Sequence, residues 1–149
     1  NRDAGETLRR IARSKLAEQI EVRIMLETEA ARLAAGRRTE QDLKAMTSAL
    51  DARAAAGERV SERIQHDEHF HHALVRASGN SALIELYDYF SHAVSQTIEQ
   101  TETDSDLPEP TQEDHELLLA AIRRKDAAKA EALSRALLTP SLKALTGED

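Results

Sequence analysis

The chain contains no cysteine, so it can form neither a disulfide nor a thiolate metal site, a usage that fits a cytoplasmic protein. Tryptophan is absent too, and only 3 prolines and 5 glycines interrupt the 149 residues. With so few breakers and with Ala, Leu, Glu and Arg dominant, the composition is that of a helical protein and excludes a sheet-rich one. No apolar run is long enough to cross a membrane, and no signal-peptide pattern opens the sequence. Net positive charge is also lacking: at -7, the chain is poorly suited to bind nucleic acid through phosphates by itself. What remains is a length sufficient for one domain with its own core.

Read in order, residues 1–15 carry a basic cluster, Arg9, Arg10, Arg13 and Lys15, and form a linker or helical lead-in. The domain proper is expected over 16–146. Leu16, Ile20, Leu26, Ala30, Leu33 and Ala34 share one face of a first helix, which Gly36 should stop. Thr39 with Asp42 reads as a capping box opening a second helix to about Ala56, with Leu43, Met46 and Leu50 inward. A third helix runs from about Ser61 to Ser78 and ends at Gly79-Asn80. A fourth is expected as one piece from Ser81 to Thr101, with Glu102 to Pro110 as the longest loop. Thr111 with Asp114 opens a fifth helix, and Asp126 caps a last one that Pro140 should end or kink. The fold class is all-α, an antiparallel bundle of about six helices.

The third helix is the unusual one. His66, Asp67, His69, His71 and His72 crowd a single amphipathic segment, and helical periodicity separates them. Asp67 and His71 fall on the apolar side with Ile64, Leu74 and Val75, whereas His66, His69 and His72 fall on the flanks or back. His92 is expected at the surface. His115 on the fifth helix and Arg23 with Glu27 on the first also face inward. An aspartate and a histidine at i and i+4, joined by a second histidine, suit a divalent metal and leave a position open for water or a small molecule. The plainer reading pairs Asp67 with His71 by a hydrogen bond alone. Arg23 either pairs with Glu27 or recognises an anionic ligand, for which its planar fork suits a carboxylate.

Three stretches together resemble a known family. They are Glu21-Val22-Arg23-Ile24-Met25-Leu26-Glu27-Thr28-Glu29-Ala30-Ala31-Arg32-Leu33-Ala34-Ala35, then Asp67-Glu68-His69-Phe70-His71-His72-Ala73-Leu74 followed by Ala77-Ser78-Gly79-Asn80, and Asp114-His115-Glu116-Leu117-Leu118-Leu119-Ala120-Ala121-Ile122. Over about residues 16 to 138 the chain is similar to the FCD domain, the C-terminal effector-binding domain of FadR-subgroup, GntR-type transcription regulators. The resemblance implies a bundle that forms a homodimer and binds a small carboxylic or sugar acid beside a divalent metal, zinc first, with nickel or manganese as alternatives. It implies Asp67, His71 and His115 as metal ligands and Arg23 as an effector contact. The last helix departs from the pattern by placing Leu137 where the family often has a further histidine. Nothing matches the winged helix-turn-helix that normally precedes this domain. DNA contact is therefore expected only through a part missing from these residues, and the Asn1 start is read as its removal.

Three functions compete at this stage: a ligand-sensing regulator domain, a metal-dependent enzyme using an activated water, and a structural dimerisation domain with a vestigial site. No general base is placed beside the candidate ligands, and Glu68 falls off the inward face, so the expectation is a sensor and not an enzyme.

Overall fold

The computed structural model describes residues 2–148. Among them there are seven helices and no strand: α1 (Arg2–Arg37), α2 (Glu40–Ala56), α3 (Val60–Ala77), α4 (Ser81–Tyr89), α5 (Ser91–Thr103), α6 (Gln112–Arg123) and α7 (Ala127–Thr146). The fold class is the expected all-α bundle. α1 packs most extensively on α7, and α2 on α3, while α3, α5 and α6 also reach α1. Ala30, Ala31, Ala34 and Ala35 are all fully buried on α1, and such small side chains let neighbouring backbones approach closely.

The expected capping signals are made. Thr39 Oγ1 accepts from the Asp42 amide at 3.1 Å and the Asp42 carboxylate accepts from Thr39 N at 2.9 Å. Thr111 and Asp114 repeat the reciprocal pair at 3.1 Å each way, and Asp126 accepts from Lys129 N at 3.1 Å. Each such cap satisfies amides that a helix N-terminus leaves without a partner. Gly79 takes φ +63°, the left-handed turn expected of it, and Asn80 then caps α4 through Leu83 N.

Four expectations differ from the structure. Helix α1 passes through Gly36 to Arg37; its opening turns make the helical lead-in, one of the two readings of that stretch, and residues 3–15 are exposed apart from half-buried Arg13. The expected single helix over 81–101 is two, broken at Phe90 with φ -86° and ψ 0°. No glycine or proline marks that break, so the sequence carries no signal for it. Glu102 belongs to the last turn of α5, and the loop begins only at Asp104. Pro140 does not end α7, which continues to Thr146. Pro140 sits on the exposed face, where water can take the hydrogen bond it cannot make, while Leu142 and Leu145 beyond it still pack on the core.

Candidate metal and ligand centre

Asp67 and His71 sit one turn apart on α3, and the Thr111 cap fixes the first turn of α6 so that His115 meets them. All three are buried. One ligand atom from each lies within 4.8 Å of the others, and no other such group of three occurs among the described residues. Asp67 Oδ2 is 3.4 Å from His71 Nε2, and Asp67 Oδ1 is 2.9 Å from His115 Nε2. Phe70 closes the arrangement: its ring meets His71 at 5.4 Å and His115 at 5.5 Å edge to face, and the two imidazoles meet each other at 5.5 Å. These contacts hold both imidazoles in place.

The hydrogen bonds on the far sides of the rings fix the tautomers. His115 Nδ1 lies 2.7 Å from the Thr111 carbonyl, which can only accept, so Nδ1 carries the proton. His71 Nδ1 in the same way faces the Glu27 carboxylate. A neutral ring protonated at Nδ1 presents a bare lone pair at Nε2, and both Nε2 atoms point at Asp67. His115 Nε2 is buried without a hydrogen-bond partner, although Asp67 Oδ1 stands within bonding distance. Two acceptors facing each other in a dry core are unfavourable unless a cation or a proton lies between them. The donor set thus fits a divalent metal, with Glu27 and the Thr111 carbonyl as the outer partners that orient the two imidazoles. Burial works against ionising Asp67, but His115 and His71, when a proton rather than a cation fills the gap, outweigh it by their charge and hold its carboxyl well below the usual range.

Arg23 and Glu27 meet on α1 as an i,i+4 pair, Nε to Oε2 at 2.5 Å, both almost fully buried. The ion-pair alternative for Arg23 is therefore present. Arg23 also donates to Thr97 at 3.3 Å, and the Tyr87 hydroxyl donates to Glu27 at 3.3 Å. Burial would raise Glu27, yet Arg23 and His71 bring it down to about 2. Burial and the Glu27 charge push the Tyr87 phenol well above its ordinary value, so it stays a neutral donor. On its other side Arg23 joins Lys15, Val22, Leu26, Phe90 and Val94 in lining a cleft of about 190 Å³. Asp67, His71 and His115 do not line that cleft; Arg23 reaches them through Glu27.

The sequence reading missed half of this network. Arg53 of α2 is buried and donates from Nε to Asp67 Oδ1 at 2.9 Å. Arg53 falls three residues after Leu50 and seven after Met46, so the α2 stripe pointed to it. Arg53 also reaches Glu102 Oε1 at 3.0 Å, and Glu102 Oε2 accepts from Arg63 at 3.0 Å. Burial, a hydrogen bond with Glu109 and the Asp67 charge push Glu102 up to about 7 against the pull of Arg53. Outside the centre, His92 and His69 are exposed, while His66 and His72 are half-buried, His72 lying 3.7 Å from Asp88. Glu68 is off the centre and takes a hydrogen bond from Ser95.

These features define an all-α domain built around an enclosed polar centre with a cleft beside it. The FCD domain profile matches residues 18–139, and the chain belongs to that family. FCD domains are regulatory effector-binding domains of GntR-type transcription regulators, and are not enzymes. No curated protein sequence matches the chain. Among solved structures, a GntR-family transcriptional regulator from Pseudomonas syringae pv. tomato str. DC3000 is similar at TM-score 0.75 and 21% identity, over 91% of this chain and 56% of that one. E. coli McbR/YncC is similar at TM-score 0.72 and 23% identity, over 90% and 69%. Streptococcus agalactiae GntR is similar at TM-score 0.68 and 24% identity, over 86% and 58%. The chain thus spans little more than half the length of two of the three. No helix among the described residues is long and apolar enough to cross a membrane.

Proposed function

We propose that this domain is the sensor of a cytoplasmic, dimeric GntR-type regulator of the FadR subgroup, binding a small carboxylic or sugar acid next to a divalent metal, zinc first and nickel or manganese otherwise. The observation that carries this reading is His115 Nε2: buried, without a hydrogen-bond partner, and 2.9 Å from a carboxylate oxygen. Asp67, His71 and His115 would hold the ion, and when bound it supplies a Lewis-acidic position for an oxygen of the acid. Leu137 is buried in the apolar core, so that residue adds no fourth donor and the site relies on three. Arg23, at the boundary between the cleft and the centre, is with Lys15 a cation the acid would meet. Binding to one arrangement of the helices more tightly than another would shift their packing and, through a DNA-binding part joined to the domain, the fit to DNA.

Elemental analysis of protein purified without a metal-affinity tag tests the site. Stoichiometric metal in the wild type and its loss in Asp67→Ala and His115→Ala is the expected result; equal content in all three would overturn the ligand set. Thermal-shift screening with small carboxylic and sugar acids tests sensing, because a ligand of the folded state raises Tm. Shifts that survive Arg23→Ala would remove Arg23 from the effector site.

A further inference from the structure

Arg53 gives Asp67 a second cation that a three-ligand metal site does not require. Its Nε occupies Asp67 Oδ1 at 2.9 Å, the same oxygen that His115 Nε2 faces at 2.9 Å. Its remaining nitrogens are tied to Glu102 at 3.0 Å, the Pro110 carbonyl at 3.0 Å and Gln112 at 3.1 Å, so the guanidinium is held from three further sides. Arg63 continues the chain to Glu102 at 3.0 Å. Within this connected network the guanidiniums of Arg23, Arg53 and Arg63 meet the carboxyl groups of Glu27, Asp67 and Glu102, and Arg63 also reaches Glu109 at 3.3 Å. Asp67 is thus already paired with a guanidinium before any metal ion is added. A divalent ion placed at Asp67 then adds like charge beside a guanidinium that cannot lose its proton, in a region where screening is weak.

We propose that Arg53 holds the metal affinity of this centre down, by engaging one oxygen of Asp67 and placing a fixed positive charge beside the ion, so that metal exchanges here instead of being a permanent part of the fold. The inference rests on the metal reading of Asp67, His71 and His115. It makes Arg53 a positioning residue with a definite sign: a mere support for Asp67 would loosen metal when removed, whereas a competing cation tightens it.

The test is the dissociation constant for zinc, measured at pH 8 by competition with a chromophoric chelator, with circular dichroism confirming that each variant is folded. Removing a group that supports a metal ligand typically costs about 10–100-fold in affinity, and the competing-cation reading expects a change of that size with the opposite sign. Arg53→Gln is expected to tighten zinc by about tenfold or more. Arg53→Lys, which keeps the charge, should stay close to the wild type. Glu102→Gln removes a counter-charge and should weaken zinc; general loosening of the core would weaken zinc in both variants and cannot produce the two opposite signs. Weaker binding in folded Arg53→Gln overturns the inference and leaves the metal reading standing. If Arg53→Gln does not fold, unchanged or tighter binding in Glu102→Gln overturns it instead. Absence of zinc binding in the wild type and every variant overturns the metal reading itself.

Discussion

Glu27 accepts from three groups at once, and its removal should be the most expensive single change in the polar centre. Arg23 meets it at 2.5 Å and the Tyr87 hydroxyl at 3.3 Å, and His71 Nδ1 donates to its other oxygen. In Glu27→Met the buried guanidinium keeps only Thr97, at 3.3 Å. Breaking a buried ion pair by deleting one partner costs about 3–5 kcal/mol. Stranding the His71 and Tyr87 donors adds about 1–3 kcal/mol each, but the three losses share one network and do not add fully. The expected total is about 5 kcal/mol, against a stability of roughly 5–15 kcal/mol for a whole domain. For a chain of this size that lowers Tm by about 10–20 °C. Arg23→Met/Glu27→Met removes the stranded cation and leaves only the two orphaned donors, so it should cost less than Glu27→Met alone, about 2–4 kcal/mol. Urea denaturation of both variants at fixed protein concentration measures this. A loss below about 1 kcal/mol in Glu27→Met, or a double variant as costly as the two single changes together, would refute the reasoning.

Three further outcomes are expected. Phe70→Ala empties a fully buried site between the His71 and His115 rings and should lose about 3–5 kcal/mol in urea denaturation; under about 2 kcal/mol would mean the rings are held without it. Thr111→Ala deletes the α6 cap and should cost about 1 kcal/mol. Because the Thr111 carbonyl that orients His115 remains, metal content by elemental analysis should not change in that variant. Glu102 has a folded-state value near 7 against an ordinary 4.5, so between those pH values the folded state keeps a proton that the unfolded chain has lost. Its contribution to stability is therefore present below about pH 4.5 and falls as pH rises toward 7, and Glu102→Gln should flatten the change in urea midpoint between pH 5 and pH 8. Equal slopes in the two proteins would remove Glu102 as the source.

The sequence disclosed the groups whose position follows from periodicity and the helix ends whose chemistry is local. Asp67, His71 and His115 could be placed inward because each lies on an apolar stripe, and the caps at Thr39, Thr111 and Asp126 depend on residues three apart. The break at Phe90 follows from tertiary packing and has no breaker residue to announce it. Pro140 does not end α7 because its missing hydrogen bond matters only where water cannot replace it. Arg53 and Glu102 show a different limit. A charge on a helix stripe can be seen in the sequence, but its partner 49 residues away cannot. An acidic, proline-containing stretch reads as loop until the burial of Glu102 is known.

The polar centre also bears on why this domain exists. Replacing a buried ion pair by apolar side chains of similar size is often neutral or stabilising, since desolvating each ion costs several kcal/mol. A module needed only to dimerise gains nothing from Arg23, Glu27, Arg53 and Asp67 in its interior, together with two imidazoles whose Nε2 atoms face one carboxylate. Such a core gains little in stability over an apolar one, and under the proposed function its charges serve a centre that responds to what enters it. Arg23 links the cleft to the centre, because one face of its guanidinium borders the cleft while its Nε holds Glu27, which in turn orients His71. An acid that draws on Arg23 in the cleft therefore perturbs the same carboxylate that fixes a candidate metal ligand. Coupling between sites is reciprocal, so zinc should raise or lower affinity for the acid by the same factor as the acid changes affinity for zinc. Isothermal titration of each ligand with and without the other reads both factors, and Glu27→Gln should bring both toward unity; coupling that survives in Glu27→Gln would show that the two sites communicate by another route.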